Sequence, residues 1–174
     1  LEILRRENAL TWQQEQQLRS VDLGSVVNDP DWKQQAVPGY RLLARLASGG
    51  FATIWTAQPI FGGAPVAIKI LHPDREKNPR AVARFEWEAV LMRRFGCQNI
   101  IRGIDSGVEK GCHYLIMEYI EGRSLGQILY ERGAFELTEA LRTVRQIAEA
   151  LQYLHREGYL HRDVKPANVL IEKS

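Results

Sequence analysis

Apolar residues change their period several times along the chain, and each change predicts an element. Over 40–47, 51–57 and 66–71 they form short runs rich in Leu, Ile, Val, Trp and Tyr, broken by Ser48-Gly49-Gly50 and by Gly62-Gly63. Three antiparallel strands are expected there. From Asn78-Pro79, which reads as an N-cap followed by proline in the first turn, the period lengthens: Val82, Phe85, Ala89 and Met92 recur at three and four and stop before Gly96. A helix over 79–95 is expected. Strands are predicted next over 99–105 and 113–120, turned at Glu109-Lys110-Gly111. Ser124-Leu125-Gly126-Gln127 is a capping box opening a short helix that ends at Gly133. A longer helix over 138–157 carries Leu141, Val144, Ile147, Ala148, Leu151 and Leu154 on one face and closes at Gly158. The pattern predicts an α+β chain: a five-stranded antiparallel sheet with one helix, then a short and a longer helix.

The first 38 residues differ in character, being rich in Gln and Glu with scattered Leu and Trp. Thr11-Trp12-Gln13-Gln14 has the form of a capping box, Gly24 ends or comes just after that helix, and Asp29-Pro30 opens a second short helix before the Pro38-Gly39 turn. Residues 1–38 are expected to be a helical extension or linker; their other reading is a regulatory segment that lays Trp12 or Trp32 against the next lobe of the chain. Of all 174 residues 45% are hydrophobic and 25% charged, an ordinary globular balance. A net charge of +2 gives no reason to expect nucleic acid. No apolar run reaches membrane-spanning length and the N-terminus lacks a signal peptide, so a cytoplasmic chain is expected. Cys97 and Cys112 lack metal-binding spacing and read as ordinary thiols in a reducing compartment. The initial Leu and a strand that stops just after it begins lead us to expect a piece of a longer protein. Nothing in the pattern speaks to oligomeric state.

Chemistry concentrates at two places. Lys69 shares a strand face with Ala67 and points inward, where a cation needs an anion. Glu88 falls within the apolar stripe of the 79–95 helix, whereas Glu86 points away from it to solvent. A buried carboxylate without a partner is costly, so Lys69 and Glu88 are expected to pair. The second place is His161-Arg162-Asp163-Val164-Lys165-Pro166-Ala167-Asn168, which gathers a carboxylate, a cation and an amide in one loop between a helix and the apolar Val169-Leu170-Ile171.

These segments resemble protein kinases. The loop fits H-R-D-L-x-x-x-N with Val164 for Leu, and Val66-Ala67-Ile68-Lys69 matches V-A-I-K in full. Leu46-Ala47-Ser48-Gly49-Gly50-Phe51-Ala52-Thr53-Ile54 is similar to the glycine-rich loop G-x-G-x-x-G-x-V, with Ala47 and Ala52 in place of the outer glycines. The resemblance implies an N-lobe and hinge over 39–120, an incomplete C-lobe over 121–174, and a truncation before the D-F-G segment. It implies ATP and magnesium as cofactors and a protein Ser/Thr hydroxyl as phosphoryl acceptor; Lys165-Pro166-Ala167-Asn168 is similar to the Ser/Thr-type loop of bacterial enzymes. Asp163 would act on the hydroxyl, Lys165 on the moving phosphoryl and Asn168 on magnesium, while Lys69 and Glu88 would position the α- and β-phosphates from a movable helix. ATP would meet Leu46, Ala47, Ser48, Gly49, Gly50, Ala52, Ile54, Ala67, Lys69 and Leu170, with Phe51 as a lid. Glu118-Tyr119-Ile120 would be the hinge, with Met117 at the back of the pocket. In that family other helices bury the apolar face of the 138–157 helix, so exposure of part of that face is expected here. The alternative is a pseudokinase that binds a nucleotide or partner without catalysis, suggested by Ala47, Ala52 and the lack of a D-F-G.

Overall fold

The computed structural model describes residues 37–173 and, before them, the backbone of strand β1 (Glu2–Leu4). The two helices expected within 1–38, with Trp12 and Trp32, lie outside the described residues. The described chain forms two compact units, one of 37–94 with Gly103–Tyr119 and the other of Phe95–Arg102 and 120–173 with β1.

The first unit is the antiparallel sheet that the sequence predicts. Strands β2 (Tyr40–Ser48), β3 (Ala52–Pro59), β4 (Val66–Leu71), β5 (Gly103–Glu109) and β6 (Cys112–Glu118) lie in the order β2-β3-β4-β6-β5. Period two sorts the side chains onto two faces. Leu42, Trp55, Ala57, Val66, Ile68, Ile70, Cys112 and Ile116 form one buried cluster with Val37. On the opposite face Ala52, Leu71 and Leu115 pack with Phe85 and Ala89 of α2 (Pro79–Arg94), which comes after the short α1 (Pro73–Glu76). Asn78 caps α2 as expected, its Oδ1 accepting from the N–H of Arg80 at 3.0 Å. Strand β2 is bulged, and there the Thr56 hydroxyl donates to the carbonyl of Ala44 and accepts from its N–H, restoring bonds that the register shift removes. The β5–β6 hairpin turns at Lys110 and Gly111, both at positive φ, as a two-residue turn matching the strand twist demands.

The second unit holds β7 (Gly122–Ser124), α3 (Leu125–Arg132), α4 (Leu137–Arg156), a 3-10 turn (Pro166–Asn168) and β8 (Val169–Glu172). The capping box of α3 has both halves: Ser124 Oγ accepts from the Gln127 N–H at 3.1 Å, and Gln127 Oε1 accepts from the Ser124 N–H at 3.0 Å. Strand β8 pairs antiparallel with β7 and parallel with β1. Phe95 meets Tyr153 and Tyr159 edge to face within this unit.

Three expectations change. The strand expected over 99–105 starts only at Gly103 and extends to Glu109, because Ile100 closes a turn onto the Cys97 carbonyl and makes no more than an isolated bridge, while Asn99 and Ile101 are buried outside any strand. A buried apolar run looks the same in sequence whether or not it is paired. The face of α4 is partly exposed, as expected, but its buried line runs partly elsewhere on the helix. Its buried line is Thr143, Ala150 and Leu154, whereas Leu141 and Val144 are each 60% exposed. Finally, the structure adds α1 and β7, which are too short for periodicity to mark.

Gly122 lies where a side chain cannot fit, since a Cβ there would fall 2.2 Å from the Ile171 carbonyl oxygen across the β7–β8 ladder. Gly122→Ala should destabilise the second unit by about 1–3 kcal/mol, the usual range for forcing an extra carbon into a closed site. Hydrogen exchange at the β8 amides should accelerate accordingly while the five-stranded sheet keeps its protection.

Candidate active site

Lys69 sits in the middle of β4, hydrogen-bonded on one side to β3 and on the other to β6, with Ile54 and Leu115 as its cross-strand neighbours. Neighbours of this kind share a face, so Lys69 points toward α2 together with Ile54 and Leu115. There its Nζ meets Glu88 Oε1 at 2.5 Å. The lysine side chain is 17% exposed and the glutamate 38%, so the pair is partly desolvated and each charge depends on the other. Phe85, one turn before Glu88 on the same face of α2, places its ring 5.8 Å from the ammonium. Glu86 is exposed as expected, with His113 Nδ1 3.6 Å away.

The glycine loop joins β2 to β3. Ala47 pairs with Ile54 and Ser48 with Thr53, and the loop closes when the Gly49 N–H donates to the Ala52 carbonyl at 3.1 Å. Neither Gly49 nor Gly50 has a positive φ, and a Cβ on Gly50 would touch nothing within 4 Å. The packing therefore does not require glycine at Gly50. Ala52, which stands where the resembling loop has glycine, buries its methyl with Leu71, Phe85, Ala89 and Leu115. Phe51 is half-buried against the same cluster. Leu46, Ala47 and Ser48 are exposed, while Ala67 and Met117 are buried as a directly paired couple between β4 and β6. Glu118 ends β6 half-buried.

The other predicted residues belong to the second unit. Ile120 is buried and Leu170 half-buried in β8. In the loop before it, Lys165 Nζ donates to Asp163 Oδ1 at 3.0 Å, and Asn168 Nδ2 donates both to Asp163 Oδ2 at 2.9 Å and to the Asp163 carbonyl at 2.8 Å. Hydrogen bonds from Lys165 and then Asn168 hold the Asp163 carboxyl below the usual carboxylate range. It is therefore an ionised acceptor of fixed direction. The sequence assigned His161 no role of its own, yet its Nδ1 accepts the Asp163 N–H at 3.2 Å. Burial lowers the His161 pKa, keeping the imidazole in the neutral form that can accept. Arg162 adopts φ 62, a left-handed conformation that costs energy for any residue with a Cβ.

The two thiols take no part. Burial, with the Glu76 carboxylate adding to it, pushes the Cys112 thiol up to about 11, so it is a core group and not a nucleophile. Among the described residues no cluster of three or more His, Cys, Asp or Glu could hold a metal ion, and no helix is long and apolar enough to cross a membrane.

Comparison with known proteins bears on the family of the chain. Residues 40–174 match the family model for the protein kinase domain. The serine/threonine-protein kinase PrkC of Bacillus subtilis is 35% identical over 133 residues, which cover 76% of this chain and 20% of the relative. A probable serine/threonine-protein kinase PknB of Corynebacterium glutamicum is 38% identical over 136 residues, covering 76% and 21%. The chain thus spans about a fifth of the length of these relatives. Among solved structures, the kinase domain of Mycobacterium tuberculosis PknI, in a double-mutant form, is similar with a TM-score of 0.70 at 26% identity, over 80% of this chain and 56% of that one. With the family model spanning the sheet, the Lys69–Glu88 pair and the Asp163 loop, this chain belongs to the protein kinase family.

Proposed function

We propose that the protein to which this chain belongs transfers the γ-phosphoryl group of ATP to a Ser or Thr hydroxyl of a protein substrate. The observation that carries this reading is the Asp163 carboxylate, ionised and aimed by Lys165 and Asn168. A loop that only bound nucleotide would have no use for a directed base. In the reaction the acceptor oxygen forms a bond to the γ-phosphorus as the bond to the β–γ bridging oxygen breaks; ADP departs and Asp163 takes the hydroxyl proton. Lys165, 3.0 Å from Asp163, offsets charge on the group in transit. Lys69, fixed by Glu88, holds the α- and β-phosphates, and the bare backbone at Gly49 and Gly50 gives phosphate oxygens close access to N–H groups.

The donor chemistry of the loop fits magnesium. Asn168 commits its amide nitrogen to Asp163, which leaves the amide oxygen as its outward donor, and magnesium prefers oxygen ligands completed by phosphates and water. When bound there, the ion would supply neutralisation of the charge on the β- and γ-phosphates. The pseudokinase alternative loses part of its motive, because the Ala52 methyl is taken up in the core under the loop and does not stand in the way of a ligand. A cytoplasmic location suits a protein that draws on the ATP pool and carries two free thiols.

In the full-length protein, Asp163→Asn should lower turnover about 10²- to 10⁴-fold, the usual worth of a positioned base, with ATP affinity changed less than about twofold; unaltered phosphate incorporation from radiolabelled ATP would sink the assignment. Because the Asp163 pKa is depressed, the base stays ionised as pH falls until the pH passes its folded value. Lys165→Met removes the largest cause of that depression, so the acid limb of the kcat/KM profile should move to higher pH. Lys69→Ala and Glu88→Ala should each impair use of ATP. Their double variant should be no worse than the poorer single one by more than about threefold, since the two act as a unit.

A further inference from the structure

The loop over 48–53 is held by His72 and Arg75, which none of the family motifs names. Thr53 Oγ1 lies 2.9 Å from His72 Nε2 and 3.2 Å from Ser48 Oγ, so one imidazole and two hydroxyls link both ends of the loop. The His72 N–H donates to the Phe51 carbonyl at 3.1 Å, and Arg75 Nε donates to the Gly50 carbonyl at 3.1 Å. From α2, the Arg84 guanidinium lies 5.9 Å from the Phe51 ring centroid. With Gly49 and Ala52 bonded to each other, every residue from 48 to 53 is tied down. The short helix α1 explains how: Pro73 starts it, the Arg75 and Glu76 N–H groups donate to the His72 carbonyl, and this turn carries the Arg75 side chain back to Gly50.

The Thr53 side chain, and with it the imidazole it bonds, faces away from Lys69. Ile54 and Lys69 are cross-strand partners and share a face; Thr53, next along β3, points to the other. Thr53 is 7% exposed, so the partners of its hydroxyl decide whether a buried polar group is satisfied. We propose that His72 and Arg75 form a strap that sets the position of the glycine loop for the phosphates of ATP, making His72, Arg75 and Thr53 positioning residues. The strap fixes by side chains what the backbone at Gly49 and Gly50 alone would leave open. This inference rests on the reading of 48–53 as the nucleotide loop.

The experiment compares full-length wild type with Thr53→Val, His72→Leu and His72→Gln, whose amide nitrogen reaches near the position of Nε2. Amide exchange at Gly49 and His72 is measured without nucleotide, and then titration with a fluorescent N-methylanthraniloyl ATP and steady-state KM for ATP are measured. Thr53→Val and His72→Leu should speed exchange and raise KM for ATP roughly fivefold, as loss of about one net hydrogen bond implies. Turnover should stay within about twofold, and His72→Gln should recover most of both losses. Unchanged exchange in both variants overturns the strap, and faster exchange with an unchanged KM overturns its role in positioning. If wild type does not bind the nucleotide probe at all, the nucleotide reading of the loop falls and the positioning role falls with it, an outcome that wild type alone reveals.

Discussion

The ion pair between Lys69 and Glu88 is the constraint on which the sheet unit is arranged. A lysine in the central part of a sheet faces a half-dry environment and must find an anion, while a glutamate within the apolar stripe of a helix must find a cation. Each requirement is met only if α2 packs across β4 at one rotation about its axis, with Phe85 and Ala89 turned into the sheet. The ends of α2 are fitted to that placement. Asn78 satisfies N–H groups at its start, and at its end Gly103 lets β5 run so close that a Cβ would fall 2.9 Å from backbone atoms of Met92 and Arg93. Loss of either charge would leave the other half-buried and unpaired, which is more damaging than never having placed the pair.

The loop around Asp163 applies the same electrostatics in an exposed setting. Its carboxylate is not desolvated, so its low pKa comes from donors held close and not from burial of a partner. Those donors lie two and five residues further along the chain, within reach because the 3-10 turn at Pro166–Asn168 folds the amide of Asn168 back. His161 contributes from the other side as a neutral acceptor for the Asp163 N–H. The left-handed Arg162 between them is held by this set of bonds, the circumstance in which a strained residue persists. The loop is thus built by local hydrogen bonds, whereas the Lys69 site is built by packing of distant segments.

That difference governs what could be read in advance. Local features were legible: the Ser124 capping box, the Gly62-Gly63 and Lys110-Gly111 turns, the Asn78 cap, and the Asp163 loop, whose residues bond to one another within a short stretch. Glu88 was legible as well, because helical period and the cost of an unpaired charge together leave it few alternatives. The irregular path of 99–102 and the buried line of α4 through Thr143 and Ala150 were not, since an apolar residue carries the same signal whether it meets a strand, a turn or solvent.

By itself, then, the sequence determined the element types, the five-stranded sheet, the pair of charges that had to meet, and the chemistry of the loop, because each comes from periodicity or from contacts a few residues apart. Only the tertiary structure decided that Thr53, His72 and Arg75 converge on the glycine loop, that the Ala52 methyl is core, and that Gly103 and Gly122 are close approaches. Those residues are ordinary in sequence. His72 stands 19 positions from Thr53 and Arg75 stands 25 from Gly50, and strand pairing with the turn of α1 brings them together. A hydrogen bond between side chains so far apart in the chain leaves no periodic trace, and it exists only after the sheet has set its register.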